Sequence, residues 1–144
     1  MGLENVMNIN GSALKAQMLR LEVLGSNIAN INTTRTPEGG PYRRKDVMFK
    51  TVPITSFEDE MSNAVTDKSA QGVEVVQVIE DQSPFKKKYD PNHPDAGEDG
   101  YVLFPNVDVV AEIVNVQEAA RAYEANVAVI VSIKSMISKT FEIG

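Results

Sequence analysis

The stretch VVAEIVNVQEAARAYEANVAVIVSIKSMISKTF, residues 109–141, decides the fold. Val109, Ile113, Val116, Ala120, Tyr123, Val127, Ile130, Lys134, Ile137 and Phe141 recur at alternating spacings of four and three. A 3.5-residue repeat keeps one apolar stripe facing a partner helix along its length, so the spacing predicts a coiled-coil helix. A second stripe, Ala119, Ala122, Val129, Ile133 and Met136, flanks the first. Two stripes on one helix predict contact with more than one neighbour. The helix is predicted from just after Pro105, with Asn106 as its N-cap, to about Phe141. That is roughly 35 residues, or ~50 Å. Asp108 and Glu112 near its start, and Lys134 and Lys139 near its end, complement the helix dipole.

The other end of the chain carries the same signal. Met7, Gly11, Leu14, Met18, Leu21, Gly25 and Ile28 keep the 4-3 spacing, predicting a helix over Leu3–Asn32. Gly11 and Gly25 each weaken it by about 1 kcal/mol relative to alanine. Asn30, Asn32, Thr33 and Thr34 compete for backbone hydrogen bonds and end it.

Between the helices the pattern changes. Val47–Val52 and Val73–Ile79 read as strands, with Pro53 ending the first or placing it at a sheet edge. Tyr101–Phe104 is a short strand candidate. Residues 36–41 form a turn, Glu58, Asp59 and Glu60 open a polar loop, and Asp90–Gly100 is irregular. The fold class is therefore α+β: long terminal helices forming a coiled-coil core (1–35 and 105–144) around a small β-rich middle (36–104).

Chemistry is largely excluded. The chain has 144 residues and a net charge of -6, which disfavours a nucleic-acid partner. The basic runs Arg43-Arg44-Lys45 and Lys86-Lys87-Lys88 read as solvated turns or subunit contacts. There is no cysteine and one histidine, His93, so zinc ligation and a Ser-His-Asp triad lack their parts. The loop around His93 fails the EF-hand template at Pro94 and Asp95. No catalytic, cofactor or metal site is expected, and no signal peptide or membrane span. The periodicity leaves two readings open: a self-assembling protein, or a soluble α+β domain that binds a ligand or protein near Val73–Ile79.

Ser26, Asn27, Ala29, Asn30 and Thr33 lie in SNIANINT (26–33), which resembles the N-terminal motif of bacterial flagellar rod, hook and related axial proteins. Residues 34–45, 89–107 and the helix motif containing Arg121, Tyr123 and Asn126 extend the resemblance across nearly the whole chain, and the middle blocks are similar to a proximal-rod subunit. The resemblance implies a structural subunit of the proximal rod of the flagellar basal body, required for motility and not an enzyme. It implies unfolded export through the flagellar type III apparatus without a cleaved signal. Assembly in the periplasm would give a helical tube that transmits torque and surrounds the export channel. Implied partners are further copies of the chain, other proximal and distal rod subunits, the rod-base adaptor, the MS-ring and the export apparatus, without membrane insertion. Leu14, Met18, Leu21, Ile28, Ile113, Val116, Tyr123, Val127, Ile130 and Ile137 are the expected assembly residues, with Leu21→Asp or Ile130→Asp expected to block incorporation.

Overall fold

The computed structural model describes residues 3–54 and 70–143. The polar loop expected from Glu58, Asp59 and Glu60 lies outside the described residues. Helix α1 spans Leu3–Ala29, one turn shorter than expected. Asn30 ends it: its amide Nδ2 donates to Ser26 O at 2.9 Å, and its own carbonyl accepts from Thr33 N at 3.0 Å. A side chain that bonds its local backbone offers a turn where a helix would need to continue.

Strands β1 (Lys45–Ile54) and β2 (Ala70–Glu80) pair antiparallel and contain both expected strands. The register slips between Met48 and Phe49, leaving Val76 as the extra residue of a bulge. Pro53 sits inside β1 opposite Gln71. A two-stranded sheet gives each strand a free edge, which is the setting in which a strand tolerates proline.

A second antiparallel pair joins β3 (Lys86–Tyr89) to β4 (Tyr101–Phe104). Strand β3 corrects the reading of Lys86–Lys88 as a turn. Lysine has little intrinsic strand preference, but cross-strand pairing decides. Lys86 Nζ donates to Val107 O at 2.7 Å, and Lys88 Nζ lies 5.8 Å from the centroid of the Phe104 ring. Gly100 closes the loop between these strands with φ of 73°, and a Cβ there would stand 2.9 Å from Tyr89 Cε2. Only glycine meets both conditions without strain.

Helix α2 spans Val109–Ile143, 35 residues. Its cap is Asp108, whose Oδ1 accepts from Val110 N at 2.9 Å and Ala111 N at 3.2 Å. This corrects the assignment of the cap to Asn106, which is used elsewhere. Its last turn carries no basic residue, so Lys134 and Lys139 lie too far back for the expected dipole role.

Helix α1 is the centre of the arrangement, packing on α2 and on both strands of the first sheet. Among the described elements α2 packs on α1 alone. The end of α1 meets the start of α2 through Asn27 and Glu112. Ile133, far along α2, is still buried, so α2 runs back along α1 antiparallel. The buried positions Glu112, Ala119 and Ile133 are separated by seven and fourteen residues, and Asn10 and Leu24 on α1 by fourteen. The seven-residue spacing thus operates within the subunit, through Ala119 and Ile133 of the second stripe and Glu112 one heptad before Ala119. No described helix is long and apolar enough to cross a membrane.

Candidate functional site

Where α1 ends and α2 begins, four segments meet at a buried polar node. Asn27 is fully buried and every polar atom of its amide is used. Its Nδ2 donates to Lys45 O at 2.8 Å and to Glu112 Oε2 at 3.0 Å. Its Oδ1 accepts from Lys45 N at 2.9 Å and from the Tyr42 hydroxyl at 3.0 Å. The amide therefore pairs with the first residue of β1 as a neighbouring strand would. A carboxylate or a shorter side chain could not supply both polarities at that reach.

Glu112 is 0% exposed, so its charge requires a partner. Arg44 Nε donates to Glu112 Oε1 at 2.6 Å, and Arg44 Nη1 donates to Asp46 Oδ2 at 3.1 Å. Asp81 Oδ2 stands 3.8 Å from the same Nη1. Burial works against the Arg44 charge, but Glu112 and then Asp46 outweigh it and hold the guanidinium above its ordinary pKa. Asn106 completes the node: its Oδ1 accepts from Arg44 N at 2.9 Å and its Nδ2 donates to Asp81 O at 3.1 Å. Glu112, expected to serve the helix dipole, is thus the buried anchor of α2.

The quoted motif splits by role. Asn27 is the hub, Ser26 Oγ lies 3.3 Å from the Tyr42 hydroxyl, and Asn30 and Thr33 shape the exit turn through a 3.2 Å side-chain bond. Thr33 O also accepts from Tyr42 N at 3.0 Å. Ala29 and Arg121 are exposed, and nothing in the subunit explains them. Asn126 donates to Ala122 O within its own helix at 2.9 Å.

The ten expected assembly residues do not gather into one site. Leu14, Leu21, Ile28, Val116, Ile130 and Ile137 are half-buried within the subunit. Met18 is 56% exposed, Ile113 45%, and Tyr123 and Val127 are exposed beside them. Sequence reasoning overlooked the exposed Val110, Val114 and Val131 of α2, whereas Phe141, at 82% exposure, is the last member of the stripe read from the spacing. A Cβ at Gly11 or Gly25 would meet nothing within 4 Å. Packing inside the subunit therefore does not account for these two helix-weakening glycines.

Long helices, a motif asparagine at their junction and apolar faces without a partner form a structural device. Residues 7–35 match a family described as "Flagella basal body rod protein", and residues 98–143 match "Flagellar basal body rod FlgEFG protein C-terminal". The flagellar basal-body rod protein FlgC of Escherichia coli O6:H1 is 45% identical over 144 residues, covering 100% of this chain and 99% of that relative. The FlgC proteins of Borreliella burgdorferi (42% identity; 99% and 98% covered) and Bacillus subtilis strain 168 (40%; 96% and 95%) are similar throughout.

The chain belongs to the FlgC family of flagellar basal-body rod proteins.

Members of the FlgC family are structural rod subunits, and this chain is one of them rather than an enzyme. It assembles with other basal-body rod components and resides in the basal body. The node spans both regions matched to rod families, with Asn27 in the first and Glu112 in the second. The groove required by the binding-domain alternative does exist, about 590 Å³ between α1 and β2, lined by Gly11, Ala16, Leu19, Val52, Val73 and Val75 among others. Family membership makes it a feature of a rod subunit. The sequence signal for the node was a charged residue, Glu112, on a line whose later members are Ala119 and Ile133. A charge on a buried stripe marks a buried pair.

Proposed function

We propose that this chain is a proximal-rod subunit that builds the tube through its terminal helices. The observation that carries the reading is the free apolar surface of α2. Val110, Ile113, Val114, Val131 and Phe141 stay exposed although α2 runs 35 residues, and among the described elements only α1 packs on it. Burying such surface against neighbours yields about 25 cal/mol per Å². Head-to-tail contacts that do not close give a helical filament.

On this reading, residues 1–35 and 105–144 form the rod core around the export channel, and residues 36–104 form an outer β-rich part. The subunit travels unfolded through the type III apparatus without a cleaved signal, assembles in the periplasm, and transmits torque for motility. Its neighbours are further copies, other proximal and distal rod subunits, the rod-base adaptor and the MS-ring. Leu14, Met18, Leu21, Ile28, Ile113, Val116, Tyr123, Val127, Ile130 and Ile137 contribute to the contacts. The internal helix pair supports this reading by its modest strength. Asn10 and Asn126 each bond their own helix, to Val6 O and Ala122 O, and Ala119 offers little area.

The test is immunogold labelling of detergent-extracted basal bodies, which should place this chain in the proximal rod. Met18→Asp and Ile113→Asp are better probes than Leu21→Asp or Ile130→Asp, because both side chains are exposed and the subunit can fold without them. Both variants should be exported yet absent from basal bodies, and the cells should be non-motile. Normal motility in either variant would rule out these helix faces as the assembly surface.

A further inference from the structure

The turn over residues 36–40, closed by Thr36 N donating to Gly40 O at 2.8 Å, walls a cleft of about 550 Å³. Arg35, Arg43 and Lys45 line it, against Glu38 and Glu80. The cleft is thus net positive on a chain whose net charge is -6. None of the three cations forms an ion pair with any carboxylate among the described residues, where every salt bridge belongs to Arg44. The Arg43 guanidinium is held 4.4 Å over the Phe85 ring, which fixes it in place.

The loop over residues 90–100 has the opposite character. It carries Asp90, Asp95, Glu98 and Asp99 and no lysine or arginine. It is also rigid: Asp90 N donates to Gly100 O at 3.0 Å, Gly97 N to Tyr101 O at 3.0 Å, and Thr34 Oγ1 to Asp95 Oδ2 at 2.7 Å. Asp95, Glu98 and Asp99 are exposed. Among the described residues no three carboxylate or imidazole groups converge as a metal site requires. The loop lies beside the cleft in the same subunit, with Arg35 and Asp95 lining one cavity of about 380 Å³, yet no ion pair among the described residues joins the two, so each charge set is complementary to the other on a second copy.

We infer that the Arg35–Arg43–Lys45 cleft of one copy receives the Asp95–Asp99 loop of a second copy, a head-to-tail contact outside the helical core. The inference rests on the assembly reading above and adds its electrostatic register. Unlike surfaces on one subunit make a heterologous contact, which propagates instead of closing as a dimer. Charge complementarity sets orientation and rejects wrong pairings more than it adds affinity.

The chain has no cysteine, so single cysteines report the contact cleanly. Arg35→Cys and Asp99→Cys chains are expressed together in cells lacking the native copy, oxidised, and examined in extracted basal bodies. A disulfide-linked dimer should form from the mixture and be lost in cells expressing either variant alone. Arg35→Glu should lower incorporation, and Arg35→Glu with Asp99→Arg in the same chain should restore it. Incorporated chains without the mixed dimer would overturn the cleft assignment and leave the rod reading intact. Equal cross-linking of either variant alone would overturn it too, since that is a symmetric contact. Absence of even the unmodified chain from basal bodies would overturn both.

Discussion

At the scale of single residues, Asn27 and Glu112 show how a junction is specified. Both are fully buried and polar, and both are satisfied by groups from other segments. Removing one partner of a buried pair costs far more than the pair itself contributes, because a charge is left unmatched. Arg44→Ala, which strands the Glu112 carboxylate, should therefore lower stability by about 3–5 kcal/mol. A urea titration of the purified chain measures this as a drop in midpoint. Asp108 offers a pH test. Bonds from Ala111 N and Val110 N hold its carboxyl below the ordinary carboxylate range. A depressed folded pKa means the stability is present above the unfolded value near ~3.9 and is lost as pH falls through the folded one. Asp108→Asn keeps a good cap but should remove that part of the acid sensitivity, seen as a flatter dependence of the urea midpoint below about pH 5.

At the scale of elements, the β3–β4 hairpin and the helix pair depend on different physics. The hairpin is set by its turn and by local packing. Gly100→Ala places a Cβ on the Tyr89 ring in a left-handed backbone, and should cost about 1–3 kcal/mol. Disordering of the Tyr89–Tyr101 edge contact, 5.3 Å between centroids, would show as a loss of near-ultraviolet circular dichroism. The helix pair depends on few large side chains. Ile133→Ala should destabilise α2 by about 2–5 kcal/mol, read by faster amide exchange beyond Ala119. If exchange there were unchanged, Ile133 would not be holding α2 on α1.

At the scale of the whole molecule, the subunit leaves apolar surface where a closed domain would bury it. Phe141 is 82% exposed, so Phe141→Ser should leave the stability of the isolated chain within about 0.5 kcal/mol. The same change should reduce concentration-dependent association, measured by light scattering. Reduced stability without reduced association would mean that Phe141 serves the subunit's own fold.

The 4-3 spacings determined that both ends are long helices, because a period near 3.6 suits no other element. The valines of 47–52 and 73–79 likewise determined two strands, and the SNIANINT motif pointed to the flagellar axial proteins, with the middle blocks narrowing that to a proximal-rod subunit. Which side of each helix turns inward was decided only in three dimensions. The line Glu112–Ala119–Ile133 won over the more apolar Val109–Ile113–Val127 line because the end of α1 and the Arg44 guanidinium meet Glu112 there. Lys86–Lys88 became a strand because β4 was available to pair with it. Asn106 lost the cap to Asp108 because its amide reaches Arg44 and Asp81 instead. Local pattern carries the period of an element, whereas partners distant in sequence exist only once the chain is folded.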